Sequence, residues 1–121
     1  MSEPTPDYRG TDFYCDIALP QQGALDIVYN SELVLAFRHT KPYWEQHVVV
    51  VPKQHISSLL ELGSDDGELL HDLLHTVQLV AADFKREFGA ARIVSNLGRY
   101  QDSKHLHVHI GFGPVRDSAD P

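Results

Sequence analysis

The sequence predicts an α+β domain in which a mainly antiparallel sheet of about five strands packs with one long helix. Short segments rich in β-branched and aromatic residues follow one another, and one long segment repeats apolar residues every three or four positions. Several sequential strands with a single helix are typical of this class. At 121 residues, 42% of them hydrophobic, the chain can bury one core. We expect one domain over residues 13–113, between a flexible arm (residues 1–12) and a tail (residues 114–121).

Three strands are predicted in the first half of the domain. Residues 27–29 and 33–38 are rich in β-branched or aromatic side chains and are separated by a short polar stretch, a pattern that predicts a hairpin. Residues 47–52 contain four consecutive valines, which predict a strand covered on both faces. Pro52 ends this strand because proline cannot donate to a sheet ladder.

One long helix is predicted from about Asp65 to Gly89. Polar residues at positions 64–66 supply capping oxygens and negative charge at its start, and Gly89 is placed to end it. Two further strands, over residues 91–96 and 104–112, complete the series. The helical prediction depends on one apolar stripe, formed by Leu69, Leu70, Leu73, Leu74, Val77, Val80, Ala81, Phe84 and Phe88.

The composition indicates a soluble, cytoplasmic protein that binds neither nucleic acids nor membranes. Its formal charge of −7 repels polyanions. Its one cysteine, Cys15, cannot form an intramolecular disulfide, and the first residues have neither the basic start nor the apolar run of a secretion signal. No window approaches the roughly 18 apolar residues that a membrane-spanning helix needs. A small anionic ligand remains compatible with this charge.

Three histidines alternate with apolar residues in the last predicted strand. His105, His107 and His109 share one face of a regular strand, about 6.6 Å apart, and the intervening residues fill the other face. The outer two, about 13 Å apart, cannot both reach one metal ion through bonds of about 2.0–2.1 Å, although two ligands with a third from elsewhere stay open. An extended anion fits better, because one imidazole can attack phosphorus while its neighbours hold oxygens or move protons.

The motif HLHVHI at residues 105–110 resembles the His-φ-His-φ-His-φ-φ signature of the histidine triad superfamily, where φ is an apolar residue. The block HVVVVPKQHI at residues 47–56, the long helix and Asn96 come in the order seen in its branch of nucleoside phosphoramidases and related hydrolases. The resemblance implies a homodimeric hydrolase or transferase without a cofactor. Such an enzyme attacks the α-phosphate of a nucleoside phosphoramidate or related nucleotide conjugate through a covalent nucleotidyl-histidine intermediate.

The resemblance also implies roles for individual residues. His107 matches the nucleophile, His109 the residue that contacts the phosphate and handles protonation of the leaving group, and His105 the histidine that orients the others. His47 matches a fourth catalytic-site histidine of the family. The residues implied to bind the nucleotide are Asn96, Gln101 and Ser103 near the phosphate, Val28, Tyr29 and Phe37 around the base, and His39.

Several positions depart from the family pattern, among them Tyr100 in place of a glycine and Gly111 in place of the last apolar residue of the signature. His39 stands where the family has an aspartate that clasps the ribose hydroxyls, and Asp102 stands where it has a serine or threonine. Cys15 lacks the second cysteine of a zinc site found in some bacterial members, so no metal site is expected. Two other functions stay open at this point. One is a nucleotide-binding regulatory module with vestigial catalysis, and the other is a metalloprotein that uses two of the triad histidines.

Overall fold

The computed structural model describes residues 25–116, which form an antiparallel sheet of five strands against one long helix. The elements are β1 (Ile27–Asn30), β2 (Val34–Arg38), β3 (Trp44–Pro52), α1 (Gly67–Phe88), β4 (Arg92–Val94) and β5 (Val108–Val115). The strands lie in the order β1-β2-β3-β5-β4. The predicted class, strand number and single helix are confirmed. The predicted N-terminal arm and Cys15 lie outside the described residues.

Ser31 shapes the predicted hairpin between β1 and β2. Its backbone N–H donates to the Val34 carbonyl (2.9 Å), and its hydroxyl oxygen accepts from the Val34 N–H (3.0 Å). The same hydroxyl donates to a carboxylate oxygen of Asp72 on α1 (2.7 Å). One serine therefore closes the turn and also ties it to the helix.

The central strand β3 separates two apolar clusters, as its run of valines predicts. The larger core lies on one face, where Val48 and Val50 pack with the buried side of α1. The smaller cluster, on the opposite face, is formed by Leu35, Phe37, Val49 and Val51. The strand begins at Trp44, three residues before the predicted start, because Trp44 pairs with Val115 of β5. Only the tertiary partner reveals this extension.

The start of α1 differs from the prediction, whereas its end agrees. The helix begins two residues late, because the preceding residues Ser64–Asp66 form a 3₁₀ turn. No side chain caps the first turn of α1; the Asp66 carboxylate instead accepts from the Gly63 N–H (2.9 Å). Gly89 ends the helix with a φ of 92°, a left-handed conformation that glycine adopts without strain.

The buried stripe of α1 is narrower than predicted. Leu70 and Leu74, which the sequence assigns to the stripe, are 39% and 54% exposed. The residues of α1 that face the core are buried: Leu69, Leu73, Thr76, Val77, Val80 and Phe84. Within residues 25–116 no helix combines the length and the hydropathy that crossing a bilayer would require.

The strand β5 begins four residues later than predicted, so His105 and His107 precede it. Other contacts hold this part of the chain in place. The Leu106 N–H donates to the Ile56 carbonyl (2.6 Å), and the His105 ring donates from Nε2 to the Pro52 carbonyl (2.7 Å). The ladder with β3 stops here because the His105 side chain, rather than a backbone amide, binds the carbonyl at the end of β3.

The bounds of β4 and the end of β5 also differ from the prediction. β4 covers only Arg92–Val94 of the predicted segment 91–96. β5 continues through Pro114 to Val115, two residues into the predicted tail, because Val115 pairs with Trp44. Both changes follow the length of the neighbouring strand, which a local pattern does not contain.

The first prediction concerns the close approach of Trp44 to Gly111. A Cβ added at Gly111 would overlap the Trp44 ring, whereas the space around Gly67 at the start of α1 is open. We expect Gly111→Ala to lower the free energy of unfolding by about 1–3 kcal/mol, as overpacking does. Urea denaturation measures the change, with Gly67→Ala as the control that should be as stable as the wild type or more stable by up to about 1 kcal/mol, because Gly67 has helical backbone angles. Equal stability of both variants would contradict the close contact.

Candidate active site

Three histidines meet on the face of the sheet opposite α1. His39 directly follows β2, and its N–H donates to the His47 carbonyl (2.9 Å) on β3. His109 lies on the neighbouring strand β5. Because Val48 and Ile110 belong to the core beneath α1, the residues that precede them, His47 and His109, point to the other face.

The rings of His39, His47 and His109, here called the imidazole cluster, are in mutual contact. The His39 and His47 rings stack with centroids 4.4 Å apart and an angle of 28°. Centroids are 5.0 Å apart for His47 and His109, and 5.8 Å for His39 and His109. One nitrogen of each ring lies within 4.8 Å of one nitrogen of both others. The Trp44 ring borders the cluster, 4.8 Å from the His47 ring.

A backbone amide sets the tautomers of two of these rings. The Tyr43 N–H donates to His47 Nδ1 (2.9 Å), so Nδ1 carries a lone pair and the proton of the neutral ring is on Nε2. His47 Nε2–H therefore donates to His109 Nδ1 (2.9 Å). The proton of a neutral His109 is then on its own Nε2. The series of hydrogen bonds that begins at the Tyr43 N–H and passes through His47 therefore ends at His109, whose Nε2–H is a donor.

The tautomer of His39 is set in the same way. The Lys41 N–H donates to His39 Nδ1 (3.0 Å), so the proton of the neutral ring is on Nε2. A metal ion would need a lone pair from each ring, but His39 and His47 use theirs to accept backbone N–H groups. The imidazole cluster is compact enough for a cation, yet its hydrogen bonds leave N–H donors. This arrangement favours an anion over a metal ion.

Burial and crowding keep the imidazole cluster neutral. Burial, and then repulsion from His107, lowers the pKa of His39 to about 4. The same two causes lower the pKa of His109 to about 3, with a further contribution from His39. Burial and the surrounding imidazoles hold the pKa of His47 far below its usual range. At neutral pH all three rings are uncharged, which agrees with the tautomers required by the hydrogen bonds.

His107 lies beside the imidazole cluster, with its ring 4.7 Å from that of His109 and nearly perpendicular to it. Its Nδ1–H donates to the His105 carbonyl (2.7 Å), so its lone pair is on Nε2. The Ser95 hydroxyl donates to the His107 carbonyl (2.9 Å) and fixes the backbone of the same residue. The His105 ring lies elsewhere, against Pro52 and 5.4 Å from the ring of His55.

The three residues expected to surround the base do not lie together. Phe37 is on the face that carries the histidines, buried in the smaller apolar cluster. Tyr29 packs instead against the larger core beneath α1. Val28 lines a cleft with α1 side chains such as Val80 and Phe84. The structure therefore places Val28 and Tyr29 on the helix side of the sheet, away from the imidazole cluster.

The residues expected near the phosphate lie in the segment between β4 and β5. Gln101 is buried, and its side-chain N–H donates to the Ser57 carbonyl (2.7 Å), which ties this segment to the chain that follows β3. Ser103 is also buried, whereas Asp102 between them is exposed. Asn96 is half-buried just after β4. The Asp102 carboxylate thus faces solvent rather than the buried imidazoles.

Several groups that order the site could not be identified from the sequence. The Tyr43 and Lys41 amides act through the backbone, so their residue types carry no signal. Ser95 and Trp44 act through side chains, but neither belongs to a motif or a periodic pattern. The sequence singled out His47, His107 and His109, whose rings lie close together, and the fold alone shows which backbone groups hold them.

Comparison with known proteins agrees with this geometry. The model of the HIT domain family matches residues 21–111. An uncharacterized HIT-like protein of Synechococcus elongatus is 42% identical over 87 residues, which cover 70% of this chain and 75% of that protein. The adenosine 5′-monophosphoramidase HINT3 of Mus musculus is 24% identical over 113 residues, 92% of this chain and 68% of that protein.

Solved structures give the same result for the fold. A HIT family hydrolase of Legionella pneumophila superposes with a TM-score of 0.71 at 29% identity, over 85% of this chain and 93% of that one. A histidine triad protein of Clostridium difficile gives a TM-score of 0.70 at 28% identity, over 90% of this chain and 96% of that one. The match to the family model, which spans most of the chain, agrees with both likenesses. The chain belongs to the HIT domain family.

Proposed function

We propose that this protein is a nucleotidyl hydrolase or transferase that acts on the α-phosphate of a nucleoside phosphoramidate or a related nucleotide conjugate. One observation carries the proposal: the His107 Nδ1–H is held by the His105 carbonyl, which places the lone pair of the neutral ring on Nε2, and the ring stands against that of the N–H donor His109. A nucleophile next to a donor for oxygen is the arrangement that phosphoryl transfer requires.

The reaction begins when His107 Nε2 attacks the α-phosphorus. A P–N bond to the imidazole forms, the bond from phosphorus to the leaving group breaks, and a nucleotidyl-histidine results. Water then attacks the same phosphorus and gives up a proton to the solvent, the bond to Nε2 breaks with its electron pair returning to the ring, and the nucleoside monophosphate leaves. The hydrogen bond to the His105 carbonyl stabilises the ring in both steps, because its N–H becomes more acidic when Nε2 carries phosphorus.

The tautomer of His109 limits its role in these steps. A neutral imidazole that gave up its one N–H would become an anion, so His109 is a poor proton donor in the state held by His47. Its Nε2–H is instead suited to hydrogen-bond a phosphoryl oxygen as negative charge develops. The leaving group then takes its proton from water, and His109 stabilises charge rather than transferring a proton.

The relatives support the class of reaction. HINT3 of Mus musculus is described as an adenosine 5′-monophosphoramidase, and the Legionella pneumophila protein as a HIT family hydrolase. Both support a hydrolase, and the first also supports a nucleoside phosphoramidate as the class of substrate. A binding module with vestigial catalysis remains the second candidate, because the ribose-clasping carboxylate of the family is replaced by His39.

We also propose that the protein is a homodimer joined through β4. β4 lies at the edge of the sheet, and its Ile93 side chain is 56% exposed. An edge strand exposes unpaired backbone groups, and pairing β4 with β4 of a second copy would satisfy them by a two-fold axis. The exposed Ile93 side chains would then be covered as well.

The second prediction tests the nucleophile. We expect His107→Asn to lower the turnover of adenosine phosphoramidate by several orders of magnitude, because no other group can form the P–N bond. Binding of AMP, measured by calorimetry, should survive in this variant. Mass spectrometry of the quenched wild type should detect a nucleotidyl adduct on the peptide that contains His107. Turnover above about a tenth of the wild-type rate in His107→Asn would exclude the covalent mechanism.

The third prediction concerns stability against pH. The unfolded chain protonates its histidines near pH 6.5, whereas the folded imidazole cluster stays neutral to about pH 4 or below. The unfolded state therefore binds more protons below pH 6.5, and stability falls as pH drops. Between pH 6.5 and 5.5 each ring contributes about 1 kcal/mol to this loss.

Urea denaturation at the two pH values measures this loss. Removing one ring with His39→Asn should reduce it, whereas His71→Asn, on the exposed side of α1, should leave it unchanged. A wild type equally stable at pH 6.5 and 5.5 would show that the rings are not held neutral.

The fourth prediction tests the dimer. Light scattering at micromolar concentration should return twice the 13.6 kDa mass of one chain. Ile93→Glu should yield a monomer, because it places like charges at the proposed two-fold axis. Leu60→Glu is the matched control, since Leu60 is 79% exposed outside the sheet. A wild-type mass of one chain would refute the dimer.

A further inference from the structure

His39 lies beside His47 and His109, two histidines of the proposed catalytic site. Its ring stacks on that of His47 with centroids 4.4 Å apart, and its backbone N–H donates to the His47 carbonyl. Its ring centroid is 5.8 Å from that of His109. The cross-strand hydrogen bond and the stacking together leave the His39 ring little freedom to turn away from its neighbours.

The neutral His39 ring carries its N–H on Nε2. The Lys41 N–H donates to Nδ1, which leaves the proton on Nε2. The aspartate expected at this position can only accept hydrogen bonds when ionised, and it does so from hydroxyl groups. The change to His39 therefore reverses the hydrogen-bonding polarity of the position. An acceptor that suits ribose hydroxyls becomes a donor that suits an oxyanion.

The spacing of the cluster fits one phosphoryl group. A nitrogen of His39 lies within 4.8 Å of a nitrogen of His109. The two ring centroids are 5.8 Å apart, and N–H donors bind oxygen at about 2.7–3.2 Å, so rings this close can donate to the same oxygen or to two oxygens of one phosphoryl group. The donor of His109 is already assigned to that group under the proposed mechanism. His39 is the second donor within the same reach.

We propose that His39 is a catalytic residue that donates a hydrogen bond from Nε2 to a nonbridging oxygen of the substrate's α-phosphoryl group. This inference rests on the proposed function. It has a consequence for the substrate class, because no carboxylate at this position clasps the ribose hydroxyls. The protein then acts on ribo- and deoxyribonucleoside phosphoramidates at similar rates.

Three substitutions at His39 test the inference. His39→Gln keeps an N–H near the position of Nε2, His39→Ala removes it, and His39→Asp replaces the donor with an anion. For adenosine phosphoramidate we expect kcat/KM to fall about 10- to 100-fold in His39→Ala, the loss of one hydrogen bond to a charged group. His39→Gln should stay within about threefold of the wild type, and His39→Asp should fall below His39→Ala, because its carboxylate repels the phosphoryl oxygens.

The alternative makes the opposite prediction for one variant. If His39 faced the ribose, His39→Asp would restore the clasp and raise both kcat/KM and the ratio of ribo- to deoxyribonucleotide rates. That result would overturn the inference. The exposed His71→Gln on α1 is the matched control for substituting a histidine, and circular dichroism confirms that each variant is folded.

Calorimetry with AMP separates this inference from the proposed function, since binding needs no turnover. We expect AMP affinity to fall in His39→Ala and to be recovered in His39→Gln. If the wild type binds AMP in this manner but turns over no phosphoramidate, the proposed function fails while the contact between His39 and phosphate is supported. Equal AMP affinity in the wild type, His39→Ala and His39→Gln would overturn the inference whatever the activity.

Discussion

The hydrogen bond from the Tyr43 amide to His47 Nδ1 decides where the protons of the site lie. An amide can only donate, so His47 must accept at Nδ1 and donate from Nε2, and His109 must accept in turn. A histidine in water exchanges between its two tautomers, whereas here the backbone amide of Tyr43, directly before β3, selects one of them. If either ring took the other tautomer, two N–H groups or two lone pairs would face each other across the 2.9 Å between His47 Nε2 and His109 Nδ1. The ability of the site to bind an anion depends on this order.

The same site keeps its imidazoles uncharged. Burial lowers the pKa of His39 and His109, and repulsion from His107 lowers both further. A neutral ring has one N–H and one lone pair, and the backbone holds the lone pairs of His39 and His47. The proposed nucleophile, His107, is ordered in the opposite way, since a carbonyl accepts its Nδ1–H and so places the lone pair on Nε2. Amides and carbonyls thus divide the histidines into donors and a nucleophile.

The fold could be predicted where the pattern of apolar residues is long. The stripe of α1 and the valines of β3 predict a helix and a doubly covered strand because burial repeats with the period of each element. The positions at which helices and strands begin and end were predicted less accurately. α1 begins after a 3₁₀ turn, and β5 begins only after His107, because the His105 side chain takes the Pro52 carbonyl. Such ends depend on single hydrogen bonds to distant residues, which leave no period in the sequence.

The sequence by itself determined which residue types carry the chemistry. Alternating histidines at 105, 107 and 109, with His47 upstream, predicted imidazole chemistry on a phosphorus centre. Only the tertiary structure decided how they are grouped. It joined His109 to His47 and His39 across three strands, left His105 against Pro52, and moved Val28 and Tyr29 to the helix side. The reason is physical: strand pairing brings together residues far apart in the chain, and backbone groups of any residue type then set the tautomers.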